Sequence, residues 1–479
     1  MFSIPIIIVF LFLRVYQIQD SLWFFNDIGR DLFVIWQWFE SNKPPLLGPQ
    51  TSALPFNQSA VYFYLLAPIH WLTGQSPFSS VITLLIFYLT LFILGIKAYR
   101  SDKVMSYAYY AAAWLLVIHP QVIEQNRFVW NPSFLPPLII AAFLSWDSLG
   151  KYSTWKIRWL FSLSLGLAVA LSYSTAPLLF ALAILTIWRY RARLRFIGIF
   201  ISMAVGIGFW QIPTILFELR HNFFLTKLLI NGEKLSQGDT SIATKAQQAL
   251  SNIFPYTAPS LNLALIGILG LSLIISLIIY YRRGNKFLLN KLGWSTAVLA
   301  VTLIITLVIP VGLAAHYIFP LLTLMIITIA FFQIHVRIFC LAILSMVWLQ
   351  PDMINHHFAP AFHPVRELEN CAKQICAQQT EPLFVSIQSS HHPYHNAMEW
   401  KFLLSKAGCQ VRELDTQLNQ AEQMIVIVDH SIYQHGQTAY NELTQFGPAQ
   451  ESARTLCSPG LEYINIKKMR VIPILFDDN

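Results

Sequence analysis

Asp27, Arg30 and Asp31 fall at i, i+3 and i+4, so a helix would place all three on one face. A carboxylate held there by a neighbouring Arg can serve as a general base. The plainer alternative is a helix start, with Asp27 capping and Arg30 pairing locally. A second cluster runs His119-Pro-Gln-Val-Ile-Glu124-Gln-Asn-Arg127-Phe-Val-Trp130-Asn131-Pro132. Glu124 and Arg127 can pair across one helical turn, and Asn131-Pro132 can start the next helix; a capped, salt-bridged loop is the competing explanation. Phe217-Glu218-Leu-Arg220-His221 offers an acid, a base and an imidazole, able to hold an anionic head group or simply to snorkel. His316-Tyr317 opens an apolar run, where an imidazole is a functional candidate.

The elements that must position these groups are set by composition. The chain has 479 residues, 55% of them hydrophobic and only 12% charged, which excludes disorder and makes a single soluble domain a poor fit. With 20 Gly and 5 Cys it is neither collagen-like nor a disulfide scaffold. Residues 1–350 hold 23 Lys/Arg against 10 Asp/Glu, whereas 351–479 hold 9 against 14. The chain therefore divides into a multi-span membrane part, 1–350, and a C-terminal domain, 351–479. About eleven stretches are long and apolar enough to cross a bilayer, near 2–19, 79–98, 104–120, 133–149, 158–174, 175–190, 195–213, 260–281, 291–310, 316–334 and 336–350. The first reads as a retained helix, because Met1–Ser3 carries no positive charge and Val15–Asp20 offers no small-residue cleavage site.

Alternate loops carry fifteen bases, from Lys97 and Arg100 to Lys291 and Arg337, against the two acids Asp102 and Asp147. The positive-inside rule then puts the N-terminus in the cytoplasm and the C-terminal domain outside, in a multi-pass inner-membrane protein. The net charge of +8 is thus an orientation signal, not a nucleic-acid patch. Long outer loops are expected at 19–78 and 213–260, with Asp31–Glu40 and Val61–Leu72 suited to helices lying in the interface.

The order of these motifs resembles a family. Arg14 near the outer end of the first helix is followed by Asn26-Asp27-Ile28-Gly29-Arg30-Asp31, Leu47-Gly-Pro-Gln-Thr-Ser52 and Tyr62-Phe-Tyr-Leu-Leu-Ala-Pro68. Arg127-Phe-Val-Trp-Asn-Pro132, Phe217-Glu-Leu-Arg-His221 and His316-Tyr317 with Pro320 come next. The membrane part is similar to the GT-C membrane glycosyltransferases, specifically bacterial relatives of protein O-mannosyltransferases and lipid A aminoarabinose transferases (glycosyltransferase family 39-like). The resemblance implies transfer of a sugar, with inversion, from a polyprenyl-phosphate carrier to a lipid, glycan or protein acceptor on the outer side. It implies Asp27, with Asp31 and Glu124 beside it in the catalytic set, as the carboxylate that deprotonates the acceptor. Arg127, Arg220, His221 and His316 would face the donor phosphate, with Arg30, Asn131, Glu218 and Tyr317 in the binding set. Where many relatives have Asp-Glu, Ile28 follows Asp27, which weighs against metal ligation by an acidic pair. Phe56-Asn57-Gln58-Ser59 lacks the Lys that some relatives carry, so another cation must serve. This reading assigns no definite cofactor and leaves a divalent cation open, with a polyprenyl-phosphate sugar as donor substrate. A polyprenyl-linked glycan flippase or a non-catalytic envelope assembly protein is the alternative.

The C-terminal domain alternates strand and helix signals. Leu383–Ile387 and Met424–Val428 read as buried parallel strands, and Val365–Gln378, Asn396–Ala407 and Thr438–Phe446 as helices, giving an α/β domain of about four strands. Eight of 13 His lie here. His391, His392 and His395 follow the first strand, and Asp429, His430 and His435 the second, beyond the carboxyl ends where open sheets bind ligands. Solvated loop histidines are the expectation and a zinc site the alternative. Cys371, Cys376, Cys409 and Cys457 allow three pairings. A helix over Val365–Gln378 would hold Cys371 and Cys376 about 8–9 Å apart, too far for a disulfide.

Overall fold

The computed structural model describes residues 3–51, 57–149, 155–190, 195–231, 241–389, 396–431 and 441–469. Phe56, Glu233, Asp239, His391, His392, His395 and His435 lie outside them. The chain forms two compact units. One comprises Met1–Ile18, Lys43–Thr73 and Phe78–Ala359; the other comprises Gln19–Asn42, Gly74–Pro77 and Pro360–Asn479. This division differs from a cut at residue 350, because part of the first long loop clusters with the C-terminal residues.

The first unit is a bundle of apolar helices, and each of the eleven expected stretches contains one. Ser79–Tyr99, Pro259–Arg282 and Lys286–Val308 are each long and apolar enough to cross a membrane. Two bent pairs, Phe196–Trp210 with Ile212–Arg220 and Ile334–Trp348 with Pro351–Phe358, bring the possible spans among the described residues to five by length and composition. Shorter apolar helices include Ser3–Val15, Val61–Leu72 and Lys103–Ile118. The joint between the fifth and sixth stretches is a 3-10 turn, Tyr173–Thr175, capped by the Ser172 hydroxyl. Helices Trp155–Leu171 and Arg195–Trp210 pack backbone to backbone. A Cβ on Gly206 would come within 2.1 Å of the Ser162 carbonyl, and one on Gly166 within 2.3 Å of the Gly206 carbonyl. Small residues permit such approach, which in lipid drives helix association by dispersion. Asp147 is buried between Arg189, at 3.1 Å, and Lys291, tying three helices together. A short hairpin, β1 (Leu47–Gln50) with β2 (Asn57–Ser59), completes this unit.

The second unit is α/β. Strands β3 (Leu383–Ser389), β4 (Gln423–Asp429), β5 (Ala449–Ser458) and β6 (Leu461–Lys468) form one sheet in the order β3-β4-β6-β5. β3 and β4 are parallel and nearly wholly buried, and β6 joins them antiparallel. The helix Val365–Gln378 forms as its pattern predicts. Of the other two expected helices, one is the shorter Met398–Lys406, and the described part of the other is helical over Asn441–Phe446. Disulfides join Cys371 to Cys457 and Cys376 to Cys409, with Cα–Cα separations of 5.4 and 5.2 Å.

Asn26–Ser41 is a 16-residue helix of this second unit. It packs against Met398–Lys406 so closely that a Cβ on Gly29 would lie 2.2 Å from the Glu399 Cα. The Met398 backbone N–H donates to Asn26 Oδ1 at 3.3 Å, fastening the start of one helix to the other.

Candidate functional sites

The sequence-predicted residues fall into both units. Asp27, Arg30 and Asp31 lie on the first-loop helix, Asn26–Ser41, in the second unit. Phe25, not Asp27, is that helix's N-cap residue, and both acids pair with Arg30. Arg30 Nη1 donates to Asp27 Oδ1 at 2.7 Å, while Nε and Nη2 reach Asp31 Oδ1 at 2.9 and 2.8 Å. One guanidinium thus bridges two carboxylates, a charge-assisted geometry that fixes all three side chains. Their surroundings differ: the Asp27 side chain is 31% exposed and that of Asp31 only 1%.

In the first unit, the helix Pro120–Arg127 carries Glu124 and Arg127. His119 caps it: its Nδ1 accepts from the Gln121 N–H at 3.2 Å, which leaves Nε2–H to donate to the Ile253 carbonyl at 3.0 Å. Glu124 is half-buried and accepts from Gln121 Nε2 at 3.5 Å. Burial raises its pKa, partly offset by the charge of His356. Arg127 points back toward the first helix, donating to the Leu13 and Tyr16 carbonyls at 3.3 and 3.1 Å and lying 5.0 Å over the Phe358 ring. Burial lowers its pKa to about 10. Those carbonyls belong to the end of Ser3–Val15 and the residues just after it, where unpaired C=O groups attract a cation.

Asn131 donates to the Leu171 carbonyl at 2.5 Å and so pins two helix ends together. The His316 ring meets Trp130 edge-on at 4.3 Å and Tyr317 at 4.1 Å, which brings the second and fourth sequence clusters together. Glu218 acts as a helix cap, accepting from the backbone N–H groups of Leu225 and Thr226 at 2.8 and 3.0 Å. Arg220 and His221 are exposed at the end of Ile212–Arg220, and His221 stacks on Phe217 at 4.1 Å. Elsewhere in the first unit, Tyr256, His356 and His357 form an aromatic group with ring separations of 5.4 to 6.0 Å. Sequence reasoning missed this group, although the His356-His357 pair after the last apolar stretch was a visible signal.

An apolar cleft of about 50 Å³ opens in the first unit, lined by Ile6, Phe10, Tyr88, Phe92, Leu116 and Ile140. Arg14 also lines it. Its guanidinium is fully buried: Nη1 donates to the Val117 carbonyl at 2.5 Å, and Nη2 has no hydrogen-bond partner among the described residues.

At the carboxyl ends of β3 and β4, register sets Ser389 opposite Asp429. Asp429 accepts from Ser389 Oγ at 3.0 Å and from His363 Nε2 at 3.1 Å. Burial works against ionisation of Asp429, but the hydrogen bonds from His363 and Ser389 and the charges of His363 and His430 hold it below the usual carboxylate range. His363 was not singled out by its sequence context.

No protein-family model matches the chain, and no curated protein matches its sequence. Among solved structures, the crystal structure of ArnT from Cupriavidus metallidurans in the apo state is similar to it. That similarity covers 97% of each chain at a TM-score of 0.48 and 12% sequence identity.

Proposed function

We propose that this chain is a GT-C-type membrane glycosyltransferase that takes a sugar from a polyprenyl-phosphate donor. The observation that carries the reading is the Asp27–Arg30–Asp31 bridge. Asp31 is buried and anchors Arg30, while Asp27 keeps one oxygen on Arg30 and enough exposure to meet a hydroxyl. In the proposed reaction the acceptor hydroxyl gives its proton to Asp27. Its oxygen attacks the anomeric carbon with inversion, and the bond from that carbon to the phosphate oxygen breaks. Polyprenyl phosphate leaves with the electron pair, a developing negative charge that cations stabilise. Within the first unit, Arg220 and His221, exposed at the end of Ile212–Arg220, are the candidates for holding such an anion. Arg127 is assigned a positioning role instead, given its contacts with Leu13 and Tyr16. The apolar lining of the cleft beside Arg14 supports a lipid-linked substrate.

The test is a transfer assay on the full chain in detergent or nanodiscs, supplied with polyprenyl-phosphate hexoses and pentoses and scored by released polyprenyl phosphate. Asp27→Asn is expected to lower the rate at least about 100-fold, the scale of general-base catalysis. Asp27→Glu should keep part of it. Full activity of Asp27→Asn would remove the assigned base.

A further inference from the structure

The second unit holds a cluster that sugar transfer does not use. His363, Asp429 and His430 each offer one ligand atom, and the three atoms lie within 4.8 Å of one another. We propose that these residues bind one divalent transition-metal ion, with zinc the best match to their chemistry. The ligand set is two imidazoles and one carboxylate, which suits zinc; calcium and magnesium prefer oxygen ligands alone.

Each ligand is held from behind. Asp429 ends β4, and Ser389 Oγ occupies its Oδ2 at 3.0 Å, turning Oδ1 toward His363 Nε2 at 3.1 Å. Ligand atoms around a tetrahedral zinc, each at about 2.0–2.2 Å, stand roughly 3.3 Å from one another. The His363–Asp429 pair therefore already has the spacing of two neighbouring ligands. His363 has an 8% exposed side chain, and its Nδ1 makes no hydrogen bond but faces the Glu367 carboxylate at 3.9 Å. A carboxylate behind a histidine's second nitrogen orients the ring and raises the basicity of the nitrogen that meets a metal.

His430 completes the set from the next residue of the chain. Its backbone is left-handed, with φ 43°, and its N–H donates to the Gly460 carbonyl at 2.8 Å. Its ring lies over Gly460, where any Cβ would come within 2.2 Å of the imidazole. Its plane runs 21° from that of His363 at a centroid separation of 5.3 Å. A lone His363–Asp429 hydrogen bond would not need a second imidazole carried on left-handed backbone beside the same carboxylate. Three protein ligands leave a fourth position for water or substrate, as in open zinc sites. His363 and Asp429 also line a cleft of about 50 Å³ with Trp23, Phe25, Glu399 and Trp400, which gives a water in that fourth position room.

The site would bind metal whether or not the chain transfers a sugar, and its test reads metal directly. The full chain, purified in detergent and stripped with chelator, is titrated with Zn²⁺ by calorimetry and with Co²⁺ by visible absorption. One ion per chain is expected, with tetrahedral d–d bands for Co²⁺ and a rise in Tm that chelator reverses. His363→Ala and His430→Ala should each weaken zinc binding at least about 100-fold, and Glu367→Gln about 10-fold, as removal of a supporting carboxylate does. Near-UV circular dichroism in the metal-free state checks that each variant is folded. Should an alanine variant fail that check, the Glu367→Gln titration decides. Unchanged affinity in the folded variants would overturn the proposal. So would binding that is lost only when His391, His392, His395 and His435 are replaced.

Discussion

Asp27 and Asp31 stand one helical turn apart and share one guanidinium, yet their surroundings separate them. The more exposed acid can meet a substrate, and the buried one can only hold Arg30 in place. Glu124 presents a third situation, a half-buried carboxyl with one weak donor, Gln121. Burial raises its pKa in the native state. Such a group costs nothing below its unfolded value, about 4.3. As pH climbs through that value and the higher native one, the buried charge destabilises the fold. Glu124→Gln should therefore leave Tm unchanged below about pH 4 and raise it near neutral pH, measured by thermal unfolding across that range. A lower Tm at neutral pH would show that the ionised Glu124 has a stabilising partner. At this scale the sequence was informative where partners are neighbours. The Asp27–Arg30–Asp31 spacing predicted its own ion pairs. The fate of Arg127 was hidden, because its acceptors Leu13 and Tyr16 lie more than 100 residues away. His363 was invisible for the same reason: its partner arrives from β4, 66 residues on.

Hydrophobic runs make elements easier to read than contacts. All eleven apolar stretches contain helices, and both buried strands of the C-terminal part appear where β-rich apolar runs placed them. Asp31–Glu40, the later part of the first-loop helix, reads in sequence as an interfacial helix from its aromatic and charged residues. Its apolar face was legible, but what covers that face was not, because a periodic pattern records burial and not the partner. The partner is Met398–Lys406, and the contact rests on Gly29. A side chain there would strike the Glu399 backbone, which cannot swing aside as a flexible side chain could. Gly29→Val should cost about 1–3 kcal/mol, the range for overpacking, and lower Tm accordingly. Because Gly29 sits between Asp27 and Arg30, the same substitution should depress transfer activity through the displaced helix. Gly29→Val with wild-type Tm would show that the two helices separate without loss. Small residues also carry the Gly166–Gly206 approach in the first unit, where Ser162 and Gly166 four residues apart were a readable sign of close packing.

Across the whole chain, charge and cysteine chemistry bear on one question by independent routes. From fifteen bases against two acids on alternate loops, the positive-inside rule leads us to propose that those loops face the cytoplasm and the C-terminal residues the opposite side. Disulfides persist in oxidising compartments, and the second unit contains two, Cys371–Cys457 and Cys376–Cys409. Sequence alone could only narrow the pairing: a helix over Val365–Gln378 keeps Cys371 from Cys376, but two arrangements remain. The sheet decides between them by bringing Cys457, on β5, to Cys371. The fifth cysteine, Cys340, is a free thiol buried in Ile334–Trp348. Protein isolated from membranes with thiols blocked only after denaturation should take up one maleimide mass tag per chain without reductant, and five after reduction. Five tags in both conditions would mean that the C-terminal unit faces a reducing compartment, and the charge-based orientation would fall with it. Closing a loop of 86 residues is worth about 4.5 kcal/mol in the chain-entropy account. Reduction should therefore lower the unfolding midpoint of the second unit well before it affects the helical bundle. A shared midpoint that moves as one on reduction would instead show that the two units unfold together.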